Sequence, residues 1–199
     1  MSVEQWCVRA LDGVARGSAF DIGANSGSWT VMLSQLFDRV IAVEPDPRAL
    51  LALREAAGEL ESVVIVNAAV RSKRGSCTLY QRAGAVQSSL LEESPIGGDG
   101  GLPCPPTSTA TVECVTLDDV AKHAPDFVKM DIEGSEADAL SLIEKKRWEK
   151  TTFLVECHAT VDEVTEHLER LGKTVERIPH PNGANAHPQH CWVIGRPAA

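Results

Sequence analysis

The chain has no stretch approaching the ~20 consecutive apolar residues that a membrane-spanning helix needs. Met1 to Arg16 also lack the apolar run of a secretory signal, so a cytoplasmic protein is expected. Basic charge is in short supply, with 19 Lys and Arg against 28 Asp and Glu and a formal net charge of −9. Nucleic-acid backbones and anionic membranes are held mainly by Lys and Arg, so neither is an expected partner. The short basic run Lys145-Lys146-Arg147 has a simpler reading as the closing turn of a helix, where it complements the helix dipole. None of the six cysteines falls in a C-x-x-C pair, and a chain of 199 residues can bury a core without a disulfide frame. Reduced thiols are expected. Dinucleotide glycine spacing is missing too: after Gly23, G-x-G-x-x-G requires glycine at two positions that hold Asn25 and Ser28.

What is present is an ordinary globular composition, 43% hydrophobic and 24% charged, of a length that suits one domain. Short apolar β-type runs alternate with helical segments. Strands are expected at Ser18–Ala24, Arg39–Val43, Val63–Val66, Phe127–Ile132 and Thr152–Cys157. Thr174–Ile178 and Cys191–Ile194 read as two closing strands. The intervening helices include Ser28–Phe37, one capped by Asp46 with Pro47 at its first position and Gly58 at its end, and Ser135 to about Arg147. Thr160 and Glu163 form a capping-box pattern before another helix. This alternation predicts a Rossmann-like, doubly wound, mainly parallel α/β sheet. Ser76–Tyr80 and Thr111–Val115 read as two further strands. Between them Ser94–Ala110 is crowded with Gly and Pro and reads as a mobile loop or lid.

Three segments carry chemistry. Asp21-Ile-Gly-Ala-Asn-Ser-Gly27 lies where a strand gives way to a helix, the place at which open α/β sheets bind ligands. Gly23 and Gly27 let the backbone turn and approach a ligand closely. An acidic residue in that loop suits an ammonium and suits a pyrophosphate poorly. S-adenosylmethionine (SAM) carries an ammonium, a carboxylate and no phosphate. Glu44 ends the second strand and can accept both hydroxyls of a ribose. Asn67 and Ala68 end the third, in position for the adenine. The second segment is Phe127-Val-Lys-Met-Asp-Ile-Glu-Gly134. Lys129 is costly inside a covered strand unless paired, and Asp131 is its nearest partner. Asp131 and Glu133 then stand at the carboxyl end of the sheet. In the third, Val155-Glu-Cys-His158, Glu156 and His158 share a face, and the histidine is a candidate base. His180, His187 and His190 look faintly metal-like but read better as a solvated turn.

These residues resemble the FkbM family of methyltransferases. The likeness is carried by the loop Asp21–Gly27, Ala42-Val-Glu-Pro-Asp46, Asn67-Ala-Ala-Val70, Ser88-Ser-Leu90, Thr116-Leu-Asp-Asp119 and Lys129-Met-Asp-Ile-Glu-Gly-Ser-Glu136, in the family's order. The resemblance implies a class I methyltransferase fold and methyl transfer from SAM, usually to a hydroxyl of a sugar or secondary metabolite. It implies cofactor contacts at Asp21, Gly23, Asn25, Gly27 and Glu44, with Asp131 and Glu133 lining the reaction site. His158, then Asp131, are the expected bases. A divalent metal held by Asp131 and Glu156 is a less favoured alternative. The chain has little before its first strand, so loop 94–110 or a second copy is expected to wall the acceptor. The rivals are a cofactor-binding regulatory module and a nicotinamide oxidoreductase. The Asn- or Asp-Pro-Pro-aromatic run expected of a nucleic-acid base methyltransferase is replaced by Asp131-Ile-Glu-Gly134.

Overall fold

The computed structural model describes residues 9–83, 88–93, 105–120, 122–179 and 190–198. Its main sheet joins β1 (Ser18–Ile22), β2 (Arg39–Val43), β3 (Val63–Val66), β7 (Phe127–Met130), β8 (Thr152–His158), β9 (Lys173–Pro179) and β10 (His190–Pro197). The spatial order is β3-β2-β1-β7-β8-β10-β9, with β10 antiparallel to both neighbours and the other pairings parallel. The chain therefore runs outward from β1 to one edge and returns to build the other. That reversal places a switch point between β1 and β7, where the carboxyl ends of the strands open a crevice.

The central strands are largely apolar because both faces are covered, with Asp21 of β1 and Lys129 of β7 as buried charges. One face packs Phe20, Met130, Phe153 and Val155 against α3 (Leu117–Val120), α4 (Glu136–Ser141) and α6 (Val161–Arg170). The other meets α1 (Ser28–Ser34) and α2 (Pro47–Ala57) through Leu33, Phe37, Leu50 and Leu53. As expected, the Asp46 side chain caps α2 by accepting from Arg48 N (2.9 Å), with Pro47 in the first turn.

Four expectations need correction. The helix from Ser135 breaks into α4 and a separate turn, α5 (Lys145–Trp148). Ser141 Oγ bonds back to Asp138 O (2.8 Å), and Arg170 takes the carbonyls of Leu140 and Ser141 (3.1 and 2.8 Å), so α4 is capped there. Thr160 provides no cap for α6, because its hydroxyl donates instead to Glu136 Oε2 (2.8 Å). The strand pair around the expected lid forms a second small sheet, β4 (Ala69–Val70), β6 (Ser108–Val115) and β5 (Gly75–Gln81), in that order. Ser108–Ala110 thus belong to a strand, while residues 94–104 lie outside the described residues. Finally, His190 opens β10 and is no solvated turn; His180 and His187 lie outside the described residues. Among the described residues no helix is long and apolar enough to cross a membrane.

Candidate active site

The cleft at the switch point holds about 600 Å³ of open space. Its floor comes from the β1 loop, with Gly23 and Asn25; its wall comes from the ends of β2 and β3, with Val43, Glu44, Pro45 and Ala68. Ser88, Ser89 and Leu90 approach from the small sheet, and Asp131, Ile132 and Glu133 from the end of β7.

Glycine is required at the floor. Gly23 has φ +77°, and a Cβ there would stand 1.8 Å from the Asp131 carbonyl oxygen. Gly27, at φ +92°, caps α1 against Leu53, outside the cleft lining. Two further residues of the lining adopt left-handed backbone, Asn25 (φ +49°) and Glu133 (φ +55°). For Glu133 this is a strained conformation that the surroundings must hold. Ser89 Oγ donates to its carbonyl at 2.6 Å, and the next amide, Gly134 N, donates to Glu136 Oε1 at 2.9 Å.

Glu44 is buried, and each carboxylate oxygen accepts one backbone amide: Oε2 from Asn25 N (2.8 Å), Oε1 from Asp46 N (2.7 Å). Burial pushes its pKa up to about 7, although the two amides resist the shift. The Asn67 amide donates to the carbonyls of Glu44 (2.8 Å) and Pro45 (3.3 Å), so it braces that turn and leaves Ala68 to line the cleft. The Asp21 carboxylate faces away from the cleft. It is fully buried, accepts from Thr30 Oγ1 (2.6 Å) and pairs with Lys129 Nζ (3.3 Å). Lys129 is buried as well; it donates to Gly23 O (2.9 Å) and stands 3.6 Å from Asp131. The expected Lys129–Asp131 pair is therefore a triad in which Asp21 is the nearer carboxylate. It anchors the β1 loop from beneath.

His158 is buried and lies beside the cleft lining. Its Nδ1 is 3.1 Å from Glu136 Oε1, and its Nε2 faces Glu133 (3.6 Å) and Asp131 (3.9 Å). Burial alone would lower its pKa, but Glu136, Glu133 and Asp131 outweigh that and raise it to about 10. The raised pKa favours the protonated imidazole near neutral pH, which weighs against its expected place as first-choice base. Burial and the surrounding carboxylates Asp131, Glu136 and Glu156, opposed by His158, raise the pKa of Glu133 to about 7. Across the sheet, His190 Nε2 meets Glu156 Oε1 at 2.8 Å.

Sequence reasoning names Glu136 only within the family likeness and reads His190 only as part of a solvated turn, so it gives neither a place at the site. Glu136 reads as a dipole-favourable residue in the first turn of a helix, and nothing local announces that it is buried against His158. Ser88 and Ser89 were flagged only as part of the family likeness; here they close one side of the cleft.

A family model described as the methyltransferase FkbM domain matches residues 21–175. The chain belongs to that family. Membership in a methyltransferase family sets aside the nicotinamide oxidoreductase. Among curated relatives of this FkbM-domain chain, an uncharacterised protein of Methanothermobacter thermautotrophicus is 40% identical over 58 residues, 29% of this chain and 23% of that one. The match thus spans about a quarter of that relative's length. Solved structures agree over nearly the whole chain. An rRNA methylase of Streptococcus thermophilus has a TM-score of 0.57 at 12% identity, covering 98% of this chain and 95% of that one. A precorrin-6y C5,15-methyltransferase of Geobacter metallireducens gives 0.56 at 17%, covering 98% and 88%. A Streptococcus mutans protein assigned as a methyltransferase, in complex with SAH (S-adenosylhomocysteine), gives 0.56 at 14%, covering 98% of each chain. At these identities the likeness is one of fold, that of the class I methyltransferases.

Proposed function

We propose that this FkbM-family chain binds SAM in the β1–β7 cleft and transfers its methyl group to a hydroxyl oxygen of a saccharide or secondary metabolite. The residues fit the cofactor: Gly23 lets the β1 loop close against the Asp131 carbonyl while lining the cleft, Glu44 offers carboxylate oxygens to a ribose, and Val43, Ala68 and Val70 are apolar neighbours for an adenine. When bound, the cofactor supplies an electrophilic methyl group on a sulfonium.

One observation carries the choice of a hydroxyl: two carboxylates, Asp131 and Glu133, line the cleft at the end of β7. A hydroxyl acceptor must lose its proton as its oxygen attacks, and a carboxylate at hydrogen-bond reach can orient and accept that proton. Asp131 is committed to the Lys129 ammonium, so we assign the proton to Glu133. His158, held by Glu136, stands behind the two carboxylates and fixes their places. The β1 loop and the Ser88–Leu90 segment hold the acceptor near the cofactor, a proximity effect of several kcal/mol.

We further read the chain as one domain acting in the cytoplasm on a small acceptor, with no nucleic-acid or membrane partner. A panel of sugars, hydroxylated metabolites, amines and RNA, incubated with the purified chain and tritiated SAM, tests the proposal. Label entering a hydroxylated small molecule supports it. Label entering RNA or only amines overturns it.

A further inference from the structure

Behind the cleft, β8 and β10 bring three metal-ligating side chains to one face of the sheet. His158 and His190 are direct cross-strand partners, and Glu156 lies two residues back along β8, so alternation puts all three on the same side. The two imidazole rings are 4.9 Å apart, His190 Nε2 is 2.8 Å from Glu156 Oε1, and one ligand atom from each residue lies within 4.8 Å of the others. All three are buried or half-buried.

We propose that His158, His190 and Glu156 form a binding site for one divalent transition-metal ion of the zinc class. Two imidazoles and one carboxylate are the donor set that zinc takes with three protein ligands and an open fourth position. The two nitrogens favour zinc over magnesium, which prefers oxygen.

A second observation points the same way. Metal-bound histidines typically donate their other ring N–H to a carboxylate, which fixes the tautomer and aims the ligand nitrogen. Glu136 stands in that relation to Nδ1 of His158, at 3.1 Å. Glu136 is itself fully buried and held by Gly134 N (2.9 Å) and Thr160 Oγ1 (2.8 Å). Nε2 is thereby left to the cation, and loading releases the proton of that nitrogen to solvent. Asp131, 3.9 Å from the same nitrogen, also lines the cleft, so the ion stands at the cleft border. A cation there can bind the acceptor oxygen and make its hydroxyl more acidic. This last role rests on the methyl-transfer reading; the binding site does not.

The test is a titration of the full, chelator-stripped chain with Co²⁺, followed by displacement with Zn²⁺. The visible absorption of cobalt in a nitrogen-ligated site is the readout, and circular dichroism controls for folding. One Co²⁺ per chain, displaced by Zn²⁺, is expected. His190→Ala and Glu156→Gln should each weaken binding by about 100-fold or more, and Glu136→Gln, which touches no ion, by ~10–100-fold. Failure of the wild-type chain to bind Co²⁺ or Zn²⁺ at micromolar concentration overturns the site. So does binding that survives His190→Ala but disappears in Asp131→Asn or Glu133→Gln, because the ion would then belong to the carboxylates. Neither result depends on turnover, so a failed acceptor screen leaves this inference standing.

Discussion

Glu44 gives cofactor binding a predicted pH dependence. Its carboxylate, with a pKa of about 7, is the group expected to accept two ribose hydroxyls. Hydroxyl donors bind the ionised form and stabilise it, so the ligand must pull that pKa down. Affinity is therefore full above about pH 7 and is lost as pH falls through it. At pH 6 only about a tenth of the free protein has Glu44 ionised, so SAH should bind about tenfold more weakly than at pH 8, a difference of ~1.4 kcal/mol. Glu44→Gln removes the titration and replaces one of two acceptors with an amide N–H₂. That group must face the amide of Asn25 or of Asp46, each of which now donates to a carboxylate oxygen. Losing a charge-assisted bond costs about 1–3 kcal/mol, a roughly five- to 150-fold rise in Kd. Calorimetric titration of both proteins with SAH at the two pH values is the assay. A wild-type affinity that does not change with pH would refute the reasoning, as would a glutamine variant that keeps the wild-type slope.

Three further outcomes follow from the same geometry. Gly23→Ala forces a Cβ onto the Asp131 carbonyl in a left-handed conformation, so the melting temperature should fall by roughly 5 °C or more and SAH binding should disappear; unchanged binding would remove the loop from the site. Lys129→Met leaves the buried Asp21 carboxylate uncompensated and should cost about 3–5 kcal/mol in urea denaturation. Adding Asp21→Asn should recover much of this, and no recovery would show that the ion pair is not what anchors the loop. Glu133→Gln should lower kcat by ~10²–10⁴-fold with SAH affinity retained, while Asp131→Asn should weaken both; full turnover in Glu133→Gln would dismiss it as the base.

The fold was legible because its signals are local. Continuous Val and Ile runs mark covered strands, and Asp46 and Pro47 at one end and Gly58 at the other bracket an 11-residue helix. The glycine loop and Glu44 were legible for the same reason, since each ends a strand at a place where α/β sheets bind ligands. What escaped depends on long-range packing. Lys129 announced that it needed a partner, but the nearest carboxylate, Asp21, lies 108 positions away on the neighbouring strand and is turned from the cleft to meet it. Period-two alternation joined Glu156 to His158, yet only the β8–β10 register brings His190 beside them. The raised pKa of His158 likewise depends on Glu136, which a separate helix, α4, brings to it.

The most direct measurement is the chemical position of the transferred methyl. SAM carrying a ¹³C-labelled methyl group would be incubated with the chain and its best acceptor from the panel, and the product examined by carbon NMR. The account predicts a methoxy signal that requires the intact chain and is greatly reduced in Glu133→Gln. A label found on nitrogen or carbon would contradict the assignment of a hydroxyl acceptor. SAM binding without turnover across the panel would contradict the claim that this cleft is catalytic.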